Sequence, residues 1–314
     1  MSVAFLFSPQ GSQAIGMGRS LADASPAARA VFDEADATLG WSVSGTCWDG
    51  PKEHLDDTRQ TQPCLLTTSI AALRALEERG APRPIAAAGH SVGEYAALVA
   101  ARALSFPAAL RLVTRRGALM AAADADGGMA AVIGLDRAAV ESVVDAFGRP
   151  SELVVANDNA PGQVVISGRR EAIAAVEPSL TDAGARRIVP LPVSGAFHSP
   201  LMAEVADQLA EAFEAESWSE ARVPVVSNVT AEPLTDAARL RALLAEQVRS
   251  PVEWVRVVER LRDDGVTTVV ELGAGAALVG MVKRIAPELR GLAVNDDATL
   301  DAAVSALAAT GVPA

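Results

Sequence analysis

A serine lies at the apex of a glycine-bounded segment, Gly89-His90-Ser91-Val92-Gly93, between an apolar run at 85–88 and a helix-like run at 94–101. This order predicts a strand, a tight turn and a helix. The glycines permit the sharp turn, and the following helix directs its N–H groups and its positive end toward Ser91. A serine held in this way is suited to nucleophilic attack on a carbonyl carbon. The competing interpretation is an ordinary glycine-bounded loop, so the flanking strand and helix decide between the two.

Composition narrows the class of protein. The chain has 314 residues, 50% of them hydrophobic, which is close to the size at which one core gives way to two. A net charge of −12 argues against nucleic acid or an anionic membrane as partner. Cys47 and Cys64 have no metal-type spacing, which favours a reducing compartment and predicts no metal site. The N-terminus lacks a signal-peptide pattern and no apolar run approaches transmembrane length, so we expect a cytoplasmic protein.

Strand-like and helix-like segments alternate along most of the chain, which predicts an α/β fold with a mainly parallel sheet. The predicted elements outside the middle region are strands at 3–7, 85–88, 223–228 and 267–271 and helices at 64–79 and 108–123. Residues 127–196 instead follow the order β-α-β-β-α-β, which is typical of a ferredoxin-like unit. We therefore predict a small subdomain at 127–196, with Gly127-Gly128 as its hinge, inserted into a large subdomain of residues 1–126 and 197–314.

A serine nucleophile needs a base, and the chain offers His54, His90 and His198. His198 is the favoured base because it follows the last strand of the small unit, where a side chain can overhang a cleft. The alternative is a histidine satisfied by neighbouring backbone groups. His90 is expected to pack at the helix start and His54 to be solvated. No Asp or Glu stands out to orient the base, so a carbonyl near Gln247 or Ser250 is expected instead.

Arg116 is the second informative side chain. Its spacing places it on one helix face with Leu112 and Met120. A buried arginine is costly unless it is paired, and a free carboxylate on a substrate would pair with it through two parallel hydrogen bonds. The alternative, a surface arginine, suits Arg111 or Arg115 better. The loop at 8–13 follows the first strand and can supply a backbone N–H to an oxyanion hole, opposite the N–H that follows the nucleophile.

Taken in order, the motifs of the chain resemble those of the malonyl-CoA:acyl-carrier-protein transacylases over essentially the full length. The motifs are Gln10-Gly11-Ser12-Gln13, Thr61-Gln62-Pro63, the elbow continued as Glu94-Tyr95-Ala96-Ala97-Leu98, Arg116-Gly117, Asn157 with Asn159, the segment 162–168, Phe197-His198-Ser199-Pro200-Leu201-Met202, and Gln247 before Ser250-Pro251-Val252. The resemblance implies an α/β-hydrolase-like large subdomain and a ferredoxin-like small one.

The resemblance also implies a function, which is malonyl transfer from coenzyme A to the phosphopantetheine thiol of an acyl carrier protein through a malonyl-serine. Malonyl-CoA would be a substrate, with no permanently bound cofactor, and a monomer is expected. The implied roles are Ser91 as nucleophile, His198 as base, Gln247 holding that base through a carbonyl, Gln10 and Val92 as oxyanion N–H donors, Arg116 as the carboxylate grip, and Gln62 and Phe197 as pocket residues. A phenylalanine before the histidine resembles malonyl-selective members.

Carrier proteins of this family are acidic, so an acidic transferase would need a local basic surface to attract one. Arg186 with Arg187 and Lys283 with Arg284 are the candidates, and ordinary solvated charge is the alternative interpretation.

One departure from the family concerns the first loop, where Pro9 stands in place of a glycine beside the predicted oxyanion hole. Proline fixes φ near −65° and restricts the residue before it. Two other functions remain open, namely a serine esterase or thioesterase, which would share the elbow and the base, and a non-catalytic carrier-binding homologue, which Pro9 would favour.

Overall fold

The computed structural model describes residues 2–123 and 126–309, which form two β-sheets and the helices packed on them. The strands are β1 (Val3–Phe7), β2 (Ala86–Gly89), β3 (Gly127–Ile133), β4 (Leu153–Ala160), β5 (Gln163–Arg169), β6 (Arg187–Pro190), β7 (Val225–Val226), β8 (Pro233–Leu234), β9 (Thr268–Leu272) and β10 (Arg290–Val294). The helices are α1 (Arg19–Ala24), α2 (Pro26–Leu39), α3 (Val43–Asp49), α4 (Lys52–Asp56), α5 (Thr58–Glu78), α6 (Gly93–Ala100), α7 (Phe106–Ala122), α8 (Arg137–Phe147), α9 (Arg170–Asp182), α10 (Ala203–Glu214), α11 (Ala237–Gln247), α12 (Trp254–Asp263), α13 (Ala277–Ile285) and α14 (Asp297–Ala308).

The larger sheet has the order β10-β9-β1-β2-β7-β8, and all its pairs are parallel except β7 with β8. The central strand β1 is buried at every position, because helices cover both faces of the sheet. Phe5 and Phe7 pack into the core with α5, whereas Ala4 and Leu6 pack into the core with α12 and α13. The predicted α/β class with a mainly parallel sheet is confirmed.

The smaller sheet has the order β4-β5-β3-β6 and is antiparallel throughout. With α8 and α9 it forms the predicted ferredoxin-like β-α-β-β-α-β unit around its own hydrophobic core. The predicted hinge residues Gly127 and Gly128 lie inside β3, paired with Arg169 and Gly168. They belong to the sheet because their backbone groups complete the β3–β5 ladder. The limits of the inserted unit at 127 and 196 stay a prediction.

Two elements differ from the sequence prediction in ways that affect the site. Helix α5 begins at Thr58 rather than Cys64, because the Asp57 side chain caps it by accepting from the N–H of Arg59. Pro63 therefore lies inside the helix, and the earlier start carries Gln62 on helical backbone. The strand predicted at 223–228 is shortened to β7, since the chain leaves the sheet before Asn228.

The small subdomain is joined to the large one through β4. The N–H of Val252 donates to Ala156 O at 2.8 Å, and the N–H of Asp158 donates to Val252 O at 3.0 Å. Beside this bridge, Arg137 of α8 forms an ion pair with Glu253. The segment that begins at the end of α11 and reaches Glu253 is therefore fixed to both subdomains. The carbonyl groups of Gln247 and Ser250 belong to this segment.

Candidate active site

The turn between β2 and α6 holds Ser91 in a left-handed conformation, with φ of 52°. Such a conformation is unfavourable for a residue with a side chain and persists only where the surroundings enforce it. A Cβ on Gly89 would lie 2.0 Å from the backbone of Gly93, and one on Gly93 would lie 2.2 Å from Phe7 O. Both glycines are therefore required by close backbone approach. The predicted strand, tight turn and helix around the serine are present.

Asn228 holds this turn from the neighbouring strand. Its Oδ1 accepts the N–H of Ser91 at 2.7 Å, and its Nδ2 donates to Gly89 O at 2.7 Å. The side chain is fully buried. Asn228 is not among the sequence-predicted site residues, although its place just beyond the carboxyl end of a parallel strand is where ligand sites of α/β proteins form.

His198 reaches the serine from a distant part of the chain. Its Nε2 lies 2.8 Å from Ser91 Oγ, and its Nδ1 lies 2.8 Å from Gln247 O and 3.2 Å from Ser250 O. Carbonyl oxygens only accept, so Nδ1 carries the proton and Nε2 presents its lone pair to the serine hydroxyl. The two carbonyl oxygens occupy the position that the aspartate carboxylate occupies in a Ser-His-Asp triad.

Burial and charge keep the His198 imidazole neutral. The side chain is 3% exposed, and its removal from water is the main cause that lowers its pKa, followed by the positive charge of Arg116. The resulting pKa is about 3. At neutral pH the ring is therefore available to accept a proton from Ser91.

Arg116 is 1% exposed, so the alternative of a surface arginine is wrong. Its Nη2 donates to Ser91 Oγ and to Gln247 Oε1, both at 3.1 Å, and its Nη1 donates to Gln62 Oε1 at 2.9 Å. Helices α5 and α7 approach closely at Gly117, where a Cβ would lie 2.7 Å from the backbone oxygen of Thr58. This approach brings Gln62 and Arg116 together.

The first loop keeps its backbone donors despite Pro9. Among the residues the structure describes, neither the N–H of Gln10 nor that of Val92 donates a hydrogen bond. The loop is held by the Gln10 side chain, which donates to Thr58 Oγ1 at 3.1 Å, and by the Ser8 hydroxyl, which donates to Glu271 at 3.3 Å. Pro9 contributes its carbonyl, which accepts from the N–H of Ser12.

Three other residues singled out in the sequence are Phe197, His90 and His54. Phe197 is buried and packs against Gly195. His90 is buried, with its ring 5.3 Å from that of Trp254, and its Nε2 contacts Asn159 Oδ1 of β4 at 2.7 Å. His54 is exposed.

The four surface cations Arg186, Arg187, Lys283 and Arg284 are also exposed. Arg186 packs over Gly134, which lies next to Gly162, and Arg284 donates to Gln163 and to the carbonyl of Pro161. The structure therefore brings Arg186 and Arg284 to one region, where the turns of the small sheet meet α13.

Residues 4–302 match the family model for the acyl transferase domain, and the chain belongs to this family. Its relatives include the malonyl CoA-acyl carrier protein transacylase of Bacillus subtilis, 44% identical over 97% of both chains, and that of Escherichia coli K12, 40% identical over 96% of this chain and 98% of that one. The fold is shared with a structure of a type II PKS acyl-carrier protein in complex with its malonyl-transacylase, at a TM-score of 0.94 and 39% identity, covering 98% of this chain and 100% of that one. The acyl carrier protein S-malonyltransferase of Vibrio cholerae matches at a TM-score of 0.93 and 39% identity, covering 96% and 100%. The resemblance found in the sequence is confirmed.

Residues 2–123 and 126–309 contain neither a candidate metal site nor a candidate membrane span. No group of three or more His, Cys, Asp or Glu side chains there could hold a metal ion. No helix in the same ranges combines the length and apolar character needed to cross a membrane.

Proposed function

We propose that this protein transfers a malonyl group from coenzyme A to the phosphopantetheine thiol of an acyl carrier protein through a malonyl-serine. The observation that carries the proposal is a buried guanidinium 3.1 Å from a serine Oγ that also contacts a neutral imidazole. A buried cation beside a nucleophile selects an acyl group that carries its own carboxylate, because the two charges compensate each other. The names of the relatives agree with this reaction.

In the first half-reaction, His198 Nε2 accepts the Ser91 proton while Oγ attacks the thioester carbonyl carbon. The negative oxygen of the tetrahedral intermediate is held by the N–H groups of Gln10 and Val92. Arg116 turns its donors from Ser91 and Gln247 to the malonyl carboxylate, and Gln62 and Phe197 line the acyl pocket. The C–S bond then breaks, His198 returns its proton to the sulfur, and coenzyme A leaves as a thiol.

In the second half-reaction, the carrier's phosphopantetheine thiol takes the place of coenzyme A. His198 accepts the thiol proton, the sulfur attacks the malonyl-serine carbonyl, and the proton returns to Ser91 Oγ as the ester bond breaks. A serine esterase or thioesterase would use water in this step, and the relatives do not favour that alternative. Malonyl-CoA is the substrate, and the mechanism needs no permanently bound cofactor.

Intact-protein mass spectrometry after mixing with malonyl-CoA tests the proposal. We expect the wild-type protein to gain the mass of one malonyl group, to keep it without an acceptor, and to lose it when a phosphopantetheinylated carrier is added. Ser91→Ala should gain nothing, because it has no nucleophile. Continuous release of malonate without a carrier would indicate a hydrolase, and an unmodified wild-type protein would indicate a non-catalytic homologue.

The surface formed by Arg186, Arg187, Lys283 and Arg284 is the contact we propose for the carrier. All four side chains are exposed, and none forms an ion pair with a carboxylate within the described ranges. By contrast, many other surface arginines of this acidic chain are paired with Asp or Glu. Arg186 and Arg284 lie in one region, and cations without a carboxylate partner there leave a local positive potential that can attract an acidic partner.

The cytoplasm is the setting we propose. Cys47 and Cys64 are both free and buried, and free thiols of this kind persist in a reducing compartment. The monomeric state expected from the sequence stays a prediction, and size-exclusion chromatography with light scattering would test it.

A further inference from the structure

Glu94 is a buried carboxylate that the mechanism above does not use. It lies in the first turn of α6 and is 3% exposed. Its Oε2 accepts from Gln247 Nε2 at 2.5 Å and from the N–H of Asn228 at 3.4 Å, and no cation within the described residues forms a direct ion pair with it. Burying a carboxylate without a compensating charge is costly, so its presence beside the nucleophile needs a physical reason.

The side-chain amide of Gln247 links Glu94 to Arg116. Its Nε2 donates to Glu94 and to Ser91 O at 3.0 Å, and its Oε1 accepts from Arg116 at 3.1 Å. A carboxylate and a carbonyl only accept, and a guanidinium only donates. All three neighbours therefore require the same orientation of the amide. The amide is a bridge that joins a buried cation at one end to a buried anion at the other.

We propose that Glu94 is the counterion of Arg116, acting through the Gln247 amide, and that it takes up a proton from solvent when a substrate carboxylate binds Arg116. This inference rests on the proposed function. In the resting protein Glu94 compensates the guanidinium and holds it in place. A malonyl carboxylate on Arg116 would add a second negative charge to the same buried site, and protonation of Glu94 restores the balance. Glu94 is thus a positioning residue that makes substrate binding depend on pH.

The other titratable groups around Glu94 keep a constant charge near neutral pH. Arg116 of α7 stays a cation, and burial lowers the pKa values of His198 and His90 to about 3 and about 4. Burial also raises the pKa of Tyr95 far above its usual range. The pKa of Glu94 is raised to about 7, mainly by burial and against its bonds to Gln247 and Asn228.

The direction in which pH changes the affinity for the malonyl group follows from these charges. A bound carboxylate disfavours ionised Glu94, so it raises the pKa of Glu94 further and binding takes up a proton above about pH 7. Malonyl affinity therefore falls as the pH rises from 7. The fall is up to about tenfold for each unit by which binding raises the pKa of Glu94. An uncharged acyl group leaves Glu94 unaffected.

The first test measures KM and kcat for malonyl-CoA from pH 6 to 9 in the wild type and in Glu94→Gln. We expect the wild-type KM to rise above pH 7, and the KM of the variant to be lower at high pH and independent of pH. A glutamine oxygen can still accept from Gln247 and Asn228, so the fold is expected to persist. Asp158→Asn is the matched control, since burial also raises the pKa of Asp158, to about 6, while its side chain lies near Arg137 and makes no hydrogen bond to Arg116 or Gln247. It should keep the wild-type pH dependence. Equal pH dependence in wild type and Glu94→Gln would overturn the inference.

The second test needs no change at Glu94. Calorimetry of Ser91→Ala protein at pH 8, in two buffers of different ionisation enthalpy, counts the protons taken up on binding. We expect the protein to take up as much as one proton more when it binds malonyl-CoA than when it binds free coenzyme A. The phosphates are common to both ligands, so they contribute equally to the two measurements. No difference would overturn the inference, even if malonyl transfer by the wild type is intact. A wild type that is not malonylated at Ser91 would instead defeat the proposed function.

Discussion

At the scale of single residues, the site depends on what each polar atom can donate or accept. His198 faces two carbonyls on one side and a hydroxyl on the other, so its tautomer is determined without any acidic partner. The sequence predicted a carbonyl near Gln247 or Ser250, and both residues provide one. It gave no role to Glu94, because a carboxylate in a helical first turn is ordinarily a solvated one.

Replacing Arg116 should change which acyl group is transferred. In Arg116→Ala the malonyl carboxylate would be buried without a cation, and breaking a buried charge pair costs about 3–5 kcal/mol. We therefore expect kcat/KM for malonyl-CoA to fall about 100-fold or more, with a relative gain for acetyl-CoA. Steady-state transfer assays with both thioesters would measure this ratio.

The neighbouring exposed Arg115 provides a matched control, since its guanidinium donates to the side chain of Gln208. Arg115→Ala should keep the malonyl preference of the wild type. If Arg116→Ala also kept that preference, Arg116 would not be the group that recognises the carboxylate.

At the scale of elements, the sequence pattern predicted most of the strands and a smaller share of the helices, and it placed some of their ends wrongly. The strand β1 has the predicted limits, because an apolar run defines it locally. The start of α5 was missed, since the cap at Asp57 sets it six residues before the predicted start at Cys64. The end of β7 was missed because the position of Asn228 is set by its bonds to the elbow.

Two glycines in helices should respond to alanine in opposite ways. At Gly280 of α13 an added Cβ meets nothing within 4 Å and the position is exposed, so Gly280→Ala should stabilise the protein by about 0.5–1 kcal/mol. At Gly93 the Cβ would meet Phe7 O at 2.2 Å, so Gly93→Ala should destabilise the protein by at least about 1–3 kcal/mol and displace Ser91.

Urea unfolding gives the free energy of unfolding of each variant, and the malonylation of Ser91 reports on the elbow. Gly280→Ala should be malonylated as fast as the wild type. Normal stability and malonylation of Gly93→Ala would show that the strand–turn–helix does not need this close contact.

At the scale of the whole molecule, the two subdomains meet where the base is held. Val252 pairs with β4 two positions after Ser250, whose carbonyl contacts His198. The cations of Arg186 and Arg284 come from segments almost a hundred residues apart, yet both lie beside the contact of Gly134 with Gly162. The sequence offered them as two separate pairs, and only the packing of α13 against the small subdomain makes them neighbours.

Charge reversal on the proposed carrier surface should weaken carrier use alone. In Arg187→Glu and in Lys283→Glu we expect the KM for the carrier to rise several-fold and the KM for malonyl-CoA to stay unchanged, because the substitutions alter a long-range potential outside the acyl pocket. The effect should diminish as salt is added. Kinetics with each substrate varied separately would measure both constants.

Arg83→Glu is a suitable control, since Arg83 is exposed, has no carboxylate partner in the described ranges and precedes β2 at the end of that strand opposite Ser91. It should leave both constants unchanged. An equal rise in the carrier KM in this variant would mean that net charge, and not this surface, is responsible.

Local sequence patterns predicted the α/β class, the ferredoxin-like insertion, the serine at its turn, and a histidine and an arginine near that serine. These features follow from hydrophobic periodicity, glycines and caps, which act within a few residues of the chain. Only the tertiary structure decided the burial of Arg116, the paired carbonyls at His198, and the link from Glu94 through Gln247 to that arginine. These contacts join residues 49 to 153 positions apart, and at such separations hydrogen bonds and electrostatic compensation depend on packing that no local pattern encodes.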